Sequence, residues 1–224
     1  MRYQCAFFDV DETIISFKTM FDFLKYFYDY TQGEKGNIIF EQYMASVKND
    51  WKFDRPREEI NREYYMHFEG VSVQLLDECI QNWYQSKRIE LADNFFIEPV
   101  IDEVKKLCND KTPIVLVSGS LYELIKYVAN DIGATTILAT RIESNNGVYT
   151  GHIIPPQTIG EGKAEVVHGH ILKNGLDKAQ CIAYGDHYSD FQMISTVDHG
   201  VIVSNNKTIL KSAEENGWRT ITNI

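Results

Sequence analysis

The sequence predicts an α/β fold, a doubly wound parallel sheet carrying an inserted all-helical segment. Three observations predict it. Apolar runs of strand length alternate with stretches of helical periodicity over residues 93–224, the pattern of a parallel sheet covered on both faces. Several of these runs end in small or acidic residues, at Asp9, Ser118 and Asp186, and strand C-termini form the edge where such sheets bind ligands. Residues 16–92 break the alternation, with no convincing strand and many aromatic residues.

Taken in order, the first strand covers 3–9 and ends in Asp9-Val10-Asp11-Glu12-Thr13. In the segment that follows, Phe17, Met20, Phe21, Leu24, Phe27 and Tyr28 recur at helical spacing. Turn signals at Gln32-Gly33, Arg55-Pro56 and Glu69-Gly70 divide it into about four helices. Its aromatic residues, Trp51 and Phe53 among them, are expected mostly to build the segment's own core, because aromatic rings bury large areas. Helices are then expected at 97–109, 120–131, 161–173, 188–195 and 206–216, and strands at 113–118, 136–140, 180–184, 199–203 and 219–222. Asn145-Asn146-Gly147 signals a hairpin. The expected division is 1–15 with 93–224 as one domain and 16–92 as an inserted helical one.

Composition narrows the function. Of 224 residues 44% are hydrophobic, enough for a packed core, and the net charge is -10. No Lys/Arg cluster offers the basic footprint of a duplex nucleic-acid binder. No apolar run reaches membrane-span length, so no membrane partner is expected. Cys5, Cys79, Cys108 and Cys181 show no CxxC spacing and are read as reduced core thiols. With no secretory signal ahead of the first strand, a cytoplasmic protein is expected, as a monomer or homodimer.

Asp9 and Asp11 at the end of an apolar strand need a cation or a shared proton if they converge. From these residues alone, a solvated turn accounts for the segment as well as a cation site does. An EF-hand is excluded, since its sixth position would be Ile14 and its twelfth Met20. The topology adds more: Asp9, Asp11, Ser118, Asp186 and Asp190 all follow strands and should meet in one crevice. Gly160-Glu161-Gly162-Lys163 is not a P-loop, because Gln157 stands where its first Gly belongs and Ala164 follows the lysine. His187 is set aside as a ligand on hard-cation preference for oxygen. His168 and His170, two apart on a helix, do not share a face.

Asp9-x-Asp11-x-Thr13, Ser118, Lys163 and Gly185-Asp186-x-x-x-Asp190 occur in the order of the four motifs of the haloacid dehalogenase (HAD) superfamily. The chain resembles that family over nearly its whole length, and in particular its phosphoserine-phosphatase-like branch, subfamily IB. The resemblance implies a Rossmann-like doubly wound parallel sheet with an inserted all-helical C1-type cap. It implies a Mg²⁺-dependent phosphatase acting on a small phosphorylated metabolite through an aspartyl-phosphate. Asp9 would be nucleophile and metal ligand. Asp11 would be the general acid and base, its backbone carbonyl touching the metal. Ser118 and the Gly119 N–H would bind phosphoryl oxygens, and Lys163 would neutralise charge and hold Asp9. Asp186 would be a second carboxylate ligand, with Asp190 behind it orienting a metal-held water. Asp at position 11 favours phosphatases and some phosphomutases over dehalogenases, whose halide leaving group needs no proton.

The likeness to phosphoserine phosphatases weakens where specificity is set. Those enzymes carry a Glu facing the substrate ammonium where Lys18 stands here, and a cap Arg where Tyr43 to Val47 offer none. Like charges repel in a closed site, so the expected substrate is not phosphoserine; Lys18 either faces the cleft and receives a carboxylate or a second phosphate, or is a solvated lysine of the helical segment. Two alternatives remain at this stage: a phosphotransferase or phosphomutase using the same intermediate, and a non-catalytic metal-dependent binding module.

Overall fold

The computed structural model describes residues 2–52, 55–222 and 224, without the Trp51 side chain. Phe53 and the Trp51 ring, counted above with the aromatic core, lie outside the described residues. In chain order the elements are β1 (Cys5–Phe8), α1 (Thr19–Gln32), α2 (Glu34–Lys52), α3 (Arg57–Met66), α4 (Val73–Leu91), α5 (Glu98–Asn109), β2 (Ile114–Leu121), α6 (Tyr122–Ile132), β3 (Thr136–Asn145), β4 (Val148–Ile154), α7 (Glu161–Asn174), β5 (Cys181–Gly185), α8 (Phe191–Ile194), β6 (His199–Val203), α9 (Lys207–Glu215) and β7 (Arg219–Ile221). They pack as two compact units: Met1–Phe17 with Asp93–Thr140 and Pro156–Ile224, and Lys18–Ala92 with Arg141–Pro155.

The first unit is built on a Rossmann-like parallel sheet in the order β3-β2-β1-β5-β6-β7. β1 and β2 bury every residue but Gly119, as strands with a covered face on each side must. Side chains alternate between the faces. Cys5, Phe7, Val115, Val117, Cys181 and Ala183 pack with Val167 and Ile171 of α7, Met193 of α8 and Ile209 of α9. On the opposite face Phe8 stacks on Tyr184 at 4.0 Å, and the Tyr184 hydroxyl donates to Glu103 of α5 at 3.1 Å. Burying each such phenylalanine stabilises the sheet by about 1.5–3 kcal/mol. One expectation fails here: Cys108 is exposed, whereas Cys5, Cys79 and Cys181 are buried. In the last turn of α5 Leu107 takes the inward position, and the adjacent thiol faces water.

The second unit holds α1 to α4 around aromatic rings. Phe23 meets Trp83 edge-on at 5.5 Å, and Phe27 meets Phe68 at 5.3 Å. The one polar atom of Trp83 is satisfied, its Nε1–H donating to Asp22 at 2.7 Å. Arg141–Asn145 of β3 pairs antiparallel with β4 through a turn in which Asn146 and Gly147 both have positive φ, 50° and 77°. That is the geometry Asn-Gly favours. This hairpin groups with the helices because its backbone is bonded to the α3–α4 turn: Gly70 N–H to Tyr149 O, Tyr149 N–H to Val71 O and Val73 N–H to Gly147 O, each at 2.9 Å. The division expected from the sequence keeps 141–155 with the sheet and differs from this grouping. No helix among the described residues is long and apolar enough to cross a membrane.

Candidate active site

β1 delivers Asp9 to the strand-end edge, where its N–H still bonds to Tyr184 O at 2.9 Å. The chain then coils tightly. The N–H groups of Thr13, Ile14 and Ile15 all point to Val10 O, at 3.3, 2.9 and 3.1 Å. To make that turn Glu12 adopts a φ of 60°, in the left-handed region. Asp9 and Thr13 are thereby buried beneath the turn.

β5 ends beside β1 and supplies the second acid, Asp186. The next turn folds back so that Asp190 Oδ2 accepts from the N–H groups of Asp186 and His187, at 3.2 and 3.1 Å. This fold-back explains Gly185: a Cβ there would lie 2.5 Å from the Asp190 Cβ. His187 Nδ1 accepts from the Ser189 N–H at 3.2 Å, capping the same turn.

α7 supplies the cation. Its start is held close to the preceding loop, and a Cβ on Gly162 would fall 1.7 Å from Gln157 O. Lys163 in the first turn is buried, and its Nζ donates to Asp9 Oδ1 and, at 2.6 Å, to Asp190 Oδ1. The Thr13 hydroxyl lies between the Asp9 and Asp186 carboxylates, 3.3 Å from Asp9 Oδ2 and 3.2 Å from Asp186 Oδ1.

Three carboxylates thus surround one ammonium, and one oxygen from each of Asp9, Asp186 and Asp190 falls within 4.8 Å of the others. The electrostatics follow. Burial, with the charges of Asp9 and Asp190, pushes the Asp186 carboxyl up to about 9. Burial also raises Asp9 above the usual carboxylate range, against the pull of Lys163. Burial alone would lower Lys163, yet Asp190 and Asp9 together hold it above the ordinary lysine value. One lysine does not neutralise three acids, so the cluster is short of positive charge. An all-oxygen donor set at this spacing fits a hard divalent cation such as Mg²⁺.

β2 brings the remaining residues to the same edge. Ser118 is buried at its end, and its Oγ accepts the Ser120 N–H at 3.0 Å. Gly119 sits where a Cβ would approach Thr158 O to 3.2 Å. The Ser120 hydroxyl donates to Asp11 Oδ2 at 3.0 Å. Lys18 belongs to the helical unit, where it is the exposed residue preceding α1.

Asp9, Lys163, Asp186 and Asp190 are therefore in direct contact or within one cluster, and Asp11 is tied to the Ser118–Ser120 turn. Two contributions escaped the sequence. Thr13, which the sequence offers only as the last residue of the strand-end motif, touches two of the acids through its hydroxyl. Ser120 passed unremarked, although a second serine two places after Ser118 at a strand end was a visible signal.

A family model described as haloacid dehalogenase-like hydrolase matches residues 6–195. Phosphoserine phosphatase SerB1 of Mycobacterium tuberculosis is 29% identical over 133 residues, which is 58% of this chain and 43% of that protein. The chain spans less than half the length of this and similar curated relatives. A Bordetella pertussis protein of unknown function superposes with a TM-score of 0.83 at 17% identity, covering 99% of both chains. A substrate-bound phosphoserine phosphatase superposes at 0.68 and 16% identity, covering 99% of this chain and 93% of that one. These structural likenesses carry the fold, and the matched model carries the family: the chain belongs to the haloacid dehalogenase-like hydrolases.

Proposed function

We propose that this chain is a Mg²⁺-dependent phosphatase that hydrolyses a small-molecule phosphomonoester through an aspartyl-phosphate on Asp9. The observation that carries the reading is Lys163, buried and bonded to both Asp9 and Asp190 within a carboxylate cluster. A buried ion cluster that is short of positive charge is costly for folding alone, and is suited to receiving a cation and an anion together.

In this reading Asp9 attacks phosphorus and the alkoxide leaves, taking a proton from Asp11. Asp11, now a carboxylate, accepts a proton from the water that releases phosphate. Ser118 and the Gly119 N–H hold phosphoryl oxygens. The Ser118 oxygen already accepts from Ser120 N–H, which leaves its own proton to donate. Lys163 fixes Asp9 and offsets phosphoryl charge. The Asp9 and Asp186 carboxylates and the Asp11 carbonyl, with Asp190 behind them, would hold Mg²⁺, which would supply the positive charge that lets two anions approach. The sheet unit acts as the catalytic core and the helical unit as its cap. Lys18 at the start of α1 replaces the acid that a phosphoserine enzyme would present, so the favoured substrate carries an anionic group rather than an ammonium.

The test is phosphate release from a broad panel of metabolite phosphomonoesters with Mg²⁺, with Asp9→Asn as the paired control. Release by the wild type alone is expected, with anionic esters ranked above phosphoserine. Label passed to a second metabolite would replace hydrolysis by phosphotransfer. Intact Mg²⁺ binding with no turnover on any ester would leave only a binding role.

A further inference from the structure

Ser120 is placed by an irregularity in the strand ladder. β2 pairs with β3 residue for residue from Val115–Thr136 to Ser118–Ala139, then jumps to Leu121–Thr140. Gly119 and Ser120 are the extra residues on β2, and such bulges re-aim the side chains they carry. Here the bulge turns the Ser120 hydroxyl onto Asp11 Oδ2 at 3.0 Å, while the serine itself is only 2% exposed. The same residue's N–H holds Ser118 Oγ. A hydroxyl donating to a carboxyl oxygen is a directional contact. It joins two elements 109 residues apart in sequence.

We propose that Ser120 is a positioning residue that aims the Asp11 carboxyl for proton transfer, an inference that rests on the phosphatase reading above. With Oδ2 accepting from Ser120, the proton to be transferred is carried on Oδ1. As the bond from Asp9 to phosphorus forms, the bond from phosphorus to the ester oxygen breaks and its electron pair stays on that oxygen. The Oδ1 proton moves to the same oxygen and the neutral alcohol leaves. The Asp11 carboxylate so formed keeps its Ser120 bond and receives a proton from water in the second step. In this role Ser120 acts through Asp11 and not on the phosphoryl group or the leaving group.

The experiment exploits leaving groups. An alkyl phosphomonoester needs the Asp11 proton, whereas p-nitrophenyl phosphate releases a stabilised phenolate that does not. Single-turnover release of each leaving group is measured with the full chain and Mg²⁺ for wild type and Ser120→Ala. The expected result is alcohol release slowed about tenfold or more and phenolate release changed by less than about threefold. Equal slowing of both esters would mark Ser120 as merely structural and overturn the proposal, as would an unchanged alcohol rate. Should the alanine variant not fold, Ser120→Cys, close in volume and a weak donor, is read by the same ratio and the same criteria. A wild type that turns over neither ester removes the phosphatase reading itself, an outcome distinct from a wild type that works and a variant that loses both rates alike.

Discussion

The two units bury opposite kinds of side chain. In the sheet unit, Asp9, Thr13, Ser118, Ser120, Lys163 and Asp190 are buried at one strand edge. In the helical unit the buried residues are dominated by rings, Phe23, Phe27, Tyr64, Tyr65, Phe68 and Trp83. Its largest charge cluster is placed outward: Arg55 meets Asp50 and Glu59 at 3.0 Å, and Glu63 as well, all partly exposed. Both arrangements are dense in contacts, yet only one is a natural product of folding. Rings leave water with a gain. Carboxylates leave it at a loss that other charges must offset. Buried charge at a strand edge therefore points to chemistry, while aromatic density in the helices points to packing.

Removing one member of each cluster tests this contrast most sharply. Lys163→Met strips the ammonium from Asp9 and Asp190 and is expected to destabilise the metal-free protein by about 3–5 kcal/mol, the range for breaking a buried ion pair. Under the proposed function it is also expected to remove turnover. Arg55→Met breaks more ion pairs, but in solvent where water and salt screen them, and should leave Tm nearly unchanged. Comparable losses of Tm would break the distinction between the clusters. Within the helical unit the larger effect belongs to a ring: Phe23→Ala, which vacates the contacts with Trp83 and Phe68, should cost about 3–5 kcal/mol in denaturant unfolding.

The sheet unit should also respond to pH and metal. The folded state raises Asp186 from 3.8 to about 9. Between those values the folded protein keeps a proton that the unfolded chain has released. The contribution of Asp186 to stability is then largest below about pH 3.8 and falls as pH rises toward 9. Under the proposed function Mg²⁺ would compete with that proton and bind only the folded cluster, so it should raise Tm more at pH 8 than at pH 5. A Mg²⁺ shift that is the same at both pH values would show that the cation binds elsewhere.

Much of this was legible in the chain because periodicity and strand-end acids are local signals. The alternating runs carry the succession of strands and helices along the chain, and the apolar spacing and turn signals of 16–92 carry its four helices. Asp9, Ser118 and Asp186 are assigned to one edge because parallel strands share it, whereas Lys163, at a helix start, joins them only through the family resemblance. Other features were not local. The hairpin at 141–155 joins the helical unit through hydrogen bonds from Gly70, Val71 and Val73, partners that no pattern within the hairpin reveals. Cys108 was misread because its apolar neighbours say where a helix faces, not where the sheet beneath it stops. Ser120 depends on a bulge, and a bulge appears only when two strands are laid side by side.

The smallest expected effect asks whether the acidic edge is strained in its backbone as well as its charges. Glu12 holds a φ of 60°, where an L-residue with a Cβ loses about 1–2 kcal/mol and glycine loses nothing. Its charge also adds to the field that raises Asp186. Glu12→Ala removes the charge and keeps the Cβ, whereas Glu12→Gly removes both. The difference in stability between the two variants isolates the backbone contribution, reduced by the extra freedom that glycine gives the unfolded chain. Glu12→Gly should therefore exceed Glu12→Ala by up to about 1 kcal/mol in denaturant unfolding. Equal stabilities would mean that the three N–H groups converging on Val10 O hold the turn without strain. The contrast between the two units would then rest on buried charge alone.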